Sequence, residues 1–296
     1  MLKVAIWTDV DLDGAASYLV LKWLLEKGSY KTTLFTCNSS KLRSEFVKWL
    51  EHNKVSDFDK IFILDLDASI ISDLIDYKNV TIVDHHASHI AKNIKYTCAN
   101  VHVKECDSTA QLLYETFKSK YEPFITSDQK KLILHVSDYD SYKLALKASK
   151  KLNCLYWTFN GNRVETFANA FKGGFSGFTQ MQENAIALYN KKAKEVIDNL
   201  QTFCGDINGH KVISTFCKTA HNDVADYLIS NCDAQIVILV NQDAKTVSFR
   251  KSPTCVVDLS SIAAKLCDGG GHESAAGGKI TENFLLFTKT LKPCKL

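Results

Sequence analysis

Three short aliphatic and β-branched runs each stop on an aspartate: residues 2–7 lead into Asp9, residues 61–64 into Asp65, and residues 80–83 into Asp84. Each run is long enough for a buried strand and too short for a core helix. Amphipathic segments separate them. In residues 15–27, Ala16, Leu19, Val20, Trp23 and Leu24 share one helical face, and in residues 41–51 Leu42, Phe46, Trp49 and Leu50 do the same. Residues 32–36 form a further strand, and residues 70–75 a short helix. This alternation predicts an α/β fold with a doubly wound, mainly parallel sheet, whose ligands bind at the carboxyl ends of the strands.

The chain of 296 residues is long enough for two domains. Its 46% hydrophobic content supports ordinary cores and argues against disorder. Residues 108–160 read as mostly helical, and the run Gly173-Gly174-Phe175-Ser176-Gly177 breaks the pattern. Residues 181–200 then form a long amphipathic helix with Ala185, Leu188, Ala193, Val196 and Leu200 on one face. Beyond it, strands at 212–216, 234–240 and 246–250 alternate with helices near 224–229 and 260–266. The expected division is a metal-binding domain over 1–180, a helical connector over 181–204 and a smaller α/β domain over 205–296.

A formal net charge of +3 gives no strong field for long DNA or an anionic membrane. The ten cysteines form no C-x-x-C pair, so zinc-ribbon spacing is absent. They read as small buried hydrophobes in a reducing compartment, with no disulfide framework. The N-terminal run is neither a signal peptide nor a membrane span. Together these features place the protein in the cytoplasm, away from membranes.

The chemistry sits in four clusters: Asp9-x-Asp11-x-Asp13-Gly14, Asp65-x-Asp67, Asp84-His85-His86 and Asp138-x-Asp140. Three of them follow strands that a parallel sheet sets side by side. Two ionised carboxylates 4 Å apart repel by about 4 kcal/mol at an effective dielectric near 20. Several such groups can share a site only with cations or protons. Mixed carboxylate and imidazole donors suit two divalent ions, Mn²⁺ first, with Mg²⁺, Co²⁺ or Zn²⁺ as substitutes. A calcium loop would need an acid at its twelfth position, which counted from Asp9 is Val20. Asp13 ahead of Gly14-Ala15-Ala16 also fits a helix N-cap, but capping does not explain three strand ends of like chemistry. His52, His89, His102, His135, His210 and His221 stand alone and read as structural, His89 being nearest to the clusters.

In the C-terminal part, the run from Gly269 through Gly270, Gly271 and His272 to Gly278 can bring successive backbone amides close to an anion. A helix starting after it would add its dipole. Ser248 and Arg250, upstream at a strand end, complete a candidate phosphate-holding or nucleotide-holding surface.

Read together, Asp9-x-Asp11-x-Asp13-Gly14, Asp65, Asp84-His85-His86 and Asp138 resemble the four motifs of the DHH phosphoesterases. The stretch from Val247 to Gly278 resembles the DHH-associated C-terminal domain. The resemblance implies a metal-dependent phosphodiesterase or exonuclease that cuts short RNA or DNA oligonucleotides to mononucleotides. Cyclic-dinucleotide or 3′-phosphoadenosine-phosphate hydrolysis is the alternative within the family, and a non-catalytic nucleic-acid-binding module the alternative outside enzymology. By resemblance, Asp9, Asp11 and Asp65 hold one cation, and Asp13, Asp65, His85 and Asp138 the other, with Asp65 bridging. Asp65, Asp84 and His86 form the catalytic set, with His86 facing the scissile phosphate. Arg250, Ser248, Gly269, Gly270, Gly271 and His272 hold the far nucleotide. Trp7 stands where many small members carry a histidine ligand, and Asp9 is expected to take its place. A homodimer is compatible with this reading.

Overall fold

The computed structural model describes all residues except 26–27, 122–124, 272 and 296. It divides into two compact units, Met1–Ile186 and Ala187–Leu296.

The first unit is built on five parallel strands: β1 (Leu2–Thr8), β2 (Tyr30–Thr36), β3 (Lys60–Leu64), β4 (Val80–Asp84) and β5 (Asn100–Val103). Their spatial order is β2-β1-β3-β4-β5. β1 pairs with β2 on one side and β3 on the other, so the chain winds first one way and then the other. That reversal leaves a crevice beyond the carboxyl ends of β1 and β3, where open parallel sheets bind ligands. The strand at β5 is too short and too polar, Asn-Val-His-Val, to stand out in the sequence.

The helices of this unit are α1 (Leu12–Leu25), α2 (Leu42–Leu50), α3 (Ser72–Ile75), α4 (Ala87–Lys92), α5 (Thr109–Tyr121), α6 (Ser127–Asp140), α7 (Lys147–Thr158) and α8 (Arg163–Ala170), and α9 (Gln180–Asp198) begins in it and ends in the second unit. α2 lays Leu42, Phe46 and Trp49 against Ala5, Trp7, Ile61 and Ile63 of the sheet, as its spacing predicts. The segment at 70–75 is a 3₁₀ turn followed by the single turn of α3. α1 is buried on every side, because α5, α6 and α8 cover the face it turns away from the sheet. Its entry depends on Gly14: a Cβ there would lie 2.4 Å from the Asp9 carbonyl oxygen. The division between the units falls within α9, where Ile186 and Ala193 are buried and Leu188, expected on the apolar face, is 54% exposed.

The second unit holds a mixed sheet in the order β10-β11-β9-β8-β7-β6-β12. Its elements run β6 (Thr202–Ile207), β7 (His210–Phe216), α10 (His221–Cys232), β8 (Ile236–Asn241), β9 (Thr246–Lys251), α11 (Leu259–Cys267), β10 (Gly270–Gly271), β11 (Ala275–Lys279), α12 (Glu282–Thr288) and β12 (Lys292–Cys294). Among the described residues of this sheet, only β7 and β8 pair in parallel. α11 covers one face through Val247, Phe249 and Ile262, and α10 covers the other through Val224 and Leu228.

Cys204 and Cys294 form a disulfide that ties β6 to the edge strand β12, with Cα atoms 5.8 Å apart. These two cysteines therefore depart from the expected role of buried hydrophobe, as does Cys98, which is exposed. Cys37, Cys154, Cys217, Cys255 and Cys267 are buried thiols, as expected. No helix among the described residues is long and apolar enough to cross a membrane.

Candidate metal centre

The acidic loop after β1 is shaped by its own side chains. Asp11 Oδ1 accepts from the Gly14 amide at 2.9 Å, so Asp11 caps α1, while Asp13 lies inside the helix. The Asp13 carboxylate points inward and accepts from the Thr109 and Ala110 amides at 2.6 and 3.0 Å, at the start of α5. A helix N-terminus is where backbone amides favour an anion. Tyr156 on α7 fixes the loop from the other side by donating to the Val10 carbonyl at 2.5 Å.

Asp65 follows β3 with a left-handed backbone, φ 56°. Aspartate tolerates that region better than most residues, and such conformations gather at functional sites. The turn brings Asp65 Oδ1 to 3.0 Å from the Thr109 hydroxyl, which donates to it, and to 3.7 Å from His85 Nε2. His85 Nδ1 lies 3.0 Å from the Cys106 carbonyl. A carbonyl can only accept, so Nδ1 carries the proton and Nε2 turns to the carboxylates. His85 Nε2 is 3.2 Å from Asp140, 3.7 Å from Asp65 and 3.8 Å from Asp13.

Asp84 is wholly buried and orients two imidazoles. Its Oδ1 lies 2.6 Å from His86 Nδ1 and its Oδ2 lies 2.7 Å from His89 Nδ1. It also receives the His85 amide at 2.8 Å. Burial pushes its carboxyl up, but the two histidines outweigh that and hold it well below the usual range. Asp84 thus fixes which nitrogen of His86 faces the site, the part a carboxylate plays behind a ligating histidine. His89, expected to be a structural residue, shares that carboxylate.

Two groups of donors converge within 4.8 Å: Asp65, His85 and His86, and Asp13, His85 and Asp140. Asp9 and Asp11 stand beside them. Burial, then Asp11, pushes the Asp9 carboxyl up to about 7. Burial, then Asp140, pushes Asp13 up to about 7 and raises Asp11. Asp65 is raised further by burial and by Asp13, Asp11, Asp140 and Asp9. Against the opposing effect of burial, Asp140 and Asp13 raise His85 to about 10, and Asp84 raises His86 to about 9. Carboxylates that hold protons at neutral pH beside imidazoles that keep theirs describe a site short of positive charge. Hard oxygen donors mixed with imidazole nitrogen fit divalent cations such as Mn²⁺ or Mg²⁺.

One expected ligand is placed elsewhere. Asp138 accepts from the Ala145 and Leu146 amides at 2.9 and 3.0 Å and from the Ser149 hydroxyl at 2.6 Å. These bonds outweigh burial and hold its carboxyl below the usual range, so Asp138 closes the turn into α7. Asp140, two residues on, faces His85. Residues two apart on a helix lie about 200° apart, so only one of the pair can face the cluster. The sequence held the signal: Leu132, Val136 and Asp140 are spaced by four, and the first two are buried. Asp67, the other member of its pair, receives Lys92 Nζ at 2.8 Å and Ser88 Oγ at 3.1 Å and is held below the usual range against burial.

In the second unit, Ser248 pairs across the sheet with Gly277, which pairs with Gly270, and Arg250 pairs with Ala275. Arg250 donates to the Asn222 side chain at 3.1 and 3.2 Å. The glycine run leads into strand β11, not into a helix, so a helix dipole has no part here. Gly269 and Gly278 are required by packing: a Cβ would lie 2.0 Å from the Gly277 carbonyl and 2.4 Å from the Cys267 carbonyl, respectively. Gly270 and Gly271 are exposed, and His272 lies outside the described residues.

The family model for the DHH family, N-terminal domain, matches residues 3–137, and that for the DHHA1 domain matches residues 209–293. The chain carries a DHH-family N-terminal domain followed by a DHHA1 domain. The DHH match holds every member of the carboxylate and histidine cluster except Asp140, which lies three residues beyond it, and the DHHA1 match holds Arg250 and the glycine run. No curated protein sequence matches the chain. Among solved structures, the pGpG-specific phosphodiesterase PggH of Vibrio cholerae is 14% identical, with a TM-score of 0.57 over 98% of this chain and 96% of that one. An exopolyphosphatase-related protein of Bacteroides fragilis is also 14% identical, with a TM-score of 0.56 over 98% and 91%. RecJ of Thermus thermophilus in complex with Mn²⁺ is 15% identical, with a TM-score of 0.50 over 97% of this chain and 51% of the longer RecJ chain. These likenesses show a shared fold.

Proposed function

We propose that the protein is a phosphodiesterase that uses two divalent cations to hydrolyse short oligonucleotides to mononucleotides. The observation carrying this reading is the convergence of Asp13, Asp65, His85, His86 and Asp140 at the carboxyl ends of β1, β3 and β4. Asp13, Asp65, His85 and Asp140 would hold one cation, and Asp9, Asp11 and Asp65 the other. When bound, the pair supplies a water activated for attack and a clamp on the phosphoryl oxygens. His86, oriented by Asp84, offers its other ring nitrogen to the scissile phosphate and steadies the charge that grows there. Thr109 orients Asp65 through its hydroxyl.

Within the second unit, Arg250, Ser248, Gly270 and Gly271 form a candidate phosphate-holding surface, Arg250 by a planar fork suited to phosphate oxygens. PggH is named for a linear dinucleotide and shares the fold, which makes a dinucleotide the first substrate to try. The test is one panel with Mn²⁺: RNA and DNA from two to about twenty nucleotides, cyclic dinucleotides and 3′-phosphoadenosine phosphate, with and without excess chelator. Dinucleotide cleavage that stops with chelator is the expected result. Turnover that survives exhaustive metal removal would end the reading.

A further inference from the structure

Beside the cation cluster, at the carboxyl ends of β1 and β2, lies a cavity of about 680 Å³, formed entirely within the first unit. That volume falls in the range of small-molecule sites, roughly 300–1,000 Å³. Its wall is aromatic: Trp7 and Phe35 stack with ring centroids 4.7 Å apart, and Trp49 meets Phe35 edge-on at 6.0 Å. β2 is an edge strand, so Phe35 is only partly buried. The rim is polar, with Lys41 and His52 exposed on it and Lys48 paired to Glu45 at 3.0 Å.

Its position ties this cavity to a nucleotide ligand. It adjoins the cluster: Val10 and Asn38 line it, the Val10 amide donates to Asp9 at 2.5 Å, and Ser39, next to Asn38, donates to Asp9 at 3.4 Å. Trp7 and Trp49 are buried core residues behind this wall, and Phe35, only partly buried, presents its aromatic surface. An aromatic wall of this kind suits a flat ring.

We propose that this cavity is a nucleobase subsite, holding the base of the nucleotide whose phosphate lies on the cation cluster. The proposal rests on the hydrolase reading for the position of the phosphate, and it deepens that reading by placing one substrate base on Phe35. Stacking tolerates any base, so the subsite favours nucleotides over bare phosphoesters without reading sequence.

The test uses full-length protein with Mn²⁺, with adenosine monophosphate and ribose 5-phosphate as probes. All four tryptophans, Trp7, Trp23, Trp49 and Trp157, lie in the first unit, so their fluorescence reports on that unit. Adenosine monophosphate is expected to quench it saturably, with ribose 5-phosphate binding at least about tenfold more weakly. Phe35→Leu keeps an apolar side chain but removes the ring face, and should weaken adenosine monophosphate roughly 5- to 100-fold while leaving ribose 5-phosphate unchanged. Equal affinity for the two probes in the wild type, or unchanged adenosine monophosphate binding in Phe35→Leu, overturns the proposal. Base-dependent quenching in a protein that hydrolyses nothing would keep the subsite and remove the hydrolase reading. Chelator-sensitive hydrolysis without base-dependent binding would do the reverse.

Discussion

At the residue scale, Asp138 and Asp140 show how far apart two neighbouring acids can stand in role. Asp140 faces His85 at 3.2 Å, and Asp138 spends both oxygens on Ala145, Leu146 and Ser149. Asp140→Asn should therefore behave like Asp65→Asn and lower kcat on a dinucleotide by at least about 10³, roughly 4 kcal/mol in barrier height. Asp138→Asn loses hydrogen bonds to a charged acceptor, each worth about 1.5–3 kcal/mol. It should lower the melting temperature while folded protein keeps most of its Mn²⁺ affinity. The two readouts, metal binding and melting temperature, should separate the variants in opposite directions. A dead Asp138→Asn with normal stability, beside an active Asp140→Asn, would return the ligand role to Asp138.

At the element scale, the glycine run divides into positions fixed by packing and positions left open. Gly278→Ala drives a Cβ into the Cys267 backbone at the end of α11, where neither partner can give way. Overpacking of that kind destabilises by about 1–3 kcal/mol. A Cβ on Gly270 meets nothing within 4 Å, so Gly270→Ala should melt within about 0.5 kcal/mol of the wild type. As part of the proposed phosphate-holding surface, Gly270→Ala should raise KM at unchanged stability. Thermal melts and Michaelis curves on the pair check both statements. The same region marks where the sequence was hard to read. The strands β1, β3 and β4 stand out because each is a continuous apolar run buried on both faces. β10, β11 and β12 are short and rich in glycine or lysine, and their pairing is set by partners far along the chain. A glycine run before Glu273-Ser274 carries no local signal that separates a hairpin from a helix start. The cluster itself was legible because its acids and histidines follow strands, whereas the choice between Asp138 and Asp140 depended on the face of α6.

At the scale of the whole molecule, the cluster makes folding, protonation and cation binding one linked equilibrium. In an unfolded chain an aspartate titrates near 3.9 and a histidine near 6.5. Folding without cations raises Asp9 and Asp13 to about 7, His85 to about 10 and His86 to about 9. Between about pH 5 and 9 the folded, cation-free protein therefore holds more protons than the unfolded chain. Stability then falls as pH rises through that window. The raised carboxyls are an unrelieved repulsion once they ionise above about 7. The raised imidazoles stabilise fully below about 6.5 and lose that contribution as pH climbs through 9 and 10. Asp84 and Asp67 are shifted the other way, and their contribution is lost only at acid pH, outside the window. On the proposed two-cation reading, cations would replace those protons, so their binding would release protons and tighten as pH rises. Melting curves at pH 5.5, 7 and 8.5, with chelator and with Mn²⁺, should show a chelated protein whose melting temperature drops with pH. The increment given by Mn²⁺ should grow over the same range, because bound ligand stabilises in proportion to the logarithm of its affinity. A Mn²⁺ increment that is flat or absent across the three pH values would mean that the cluster satisfies its own charges without cations, and the two-cation centre would have to be abandoned.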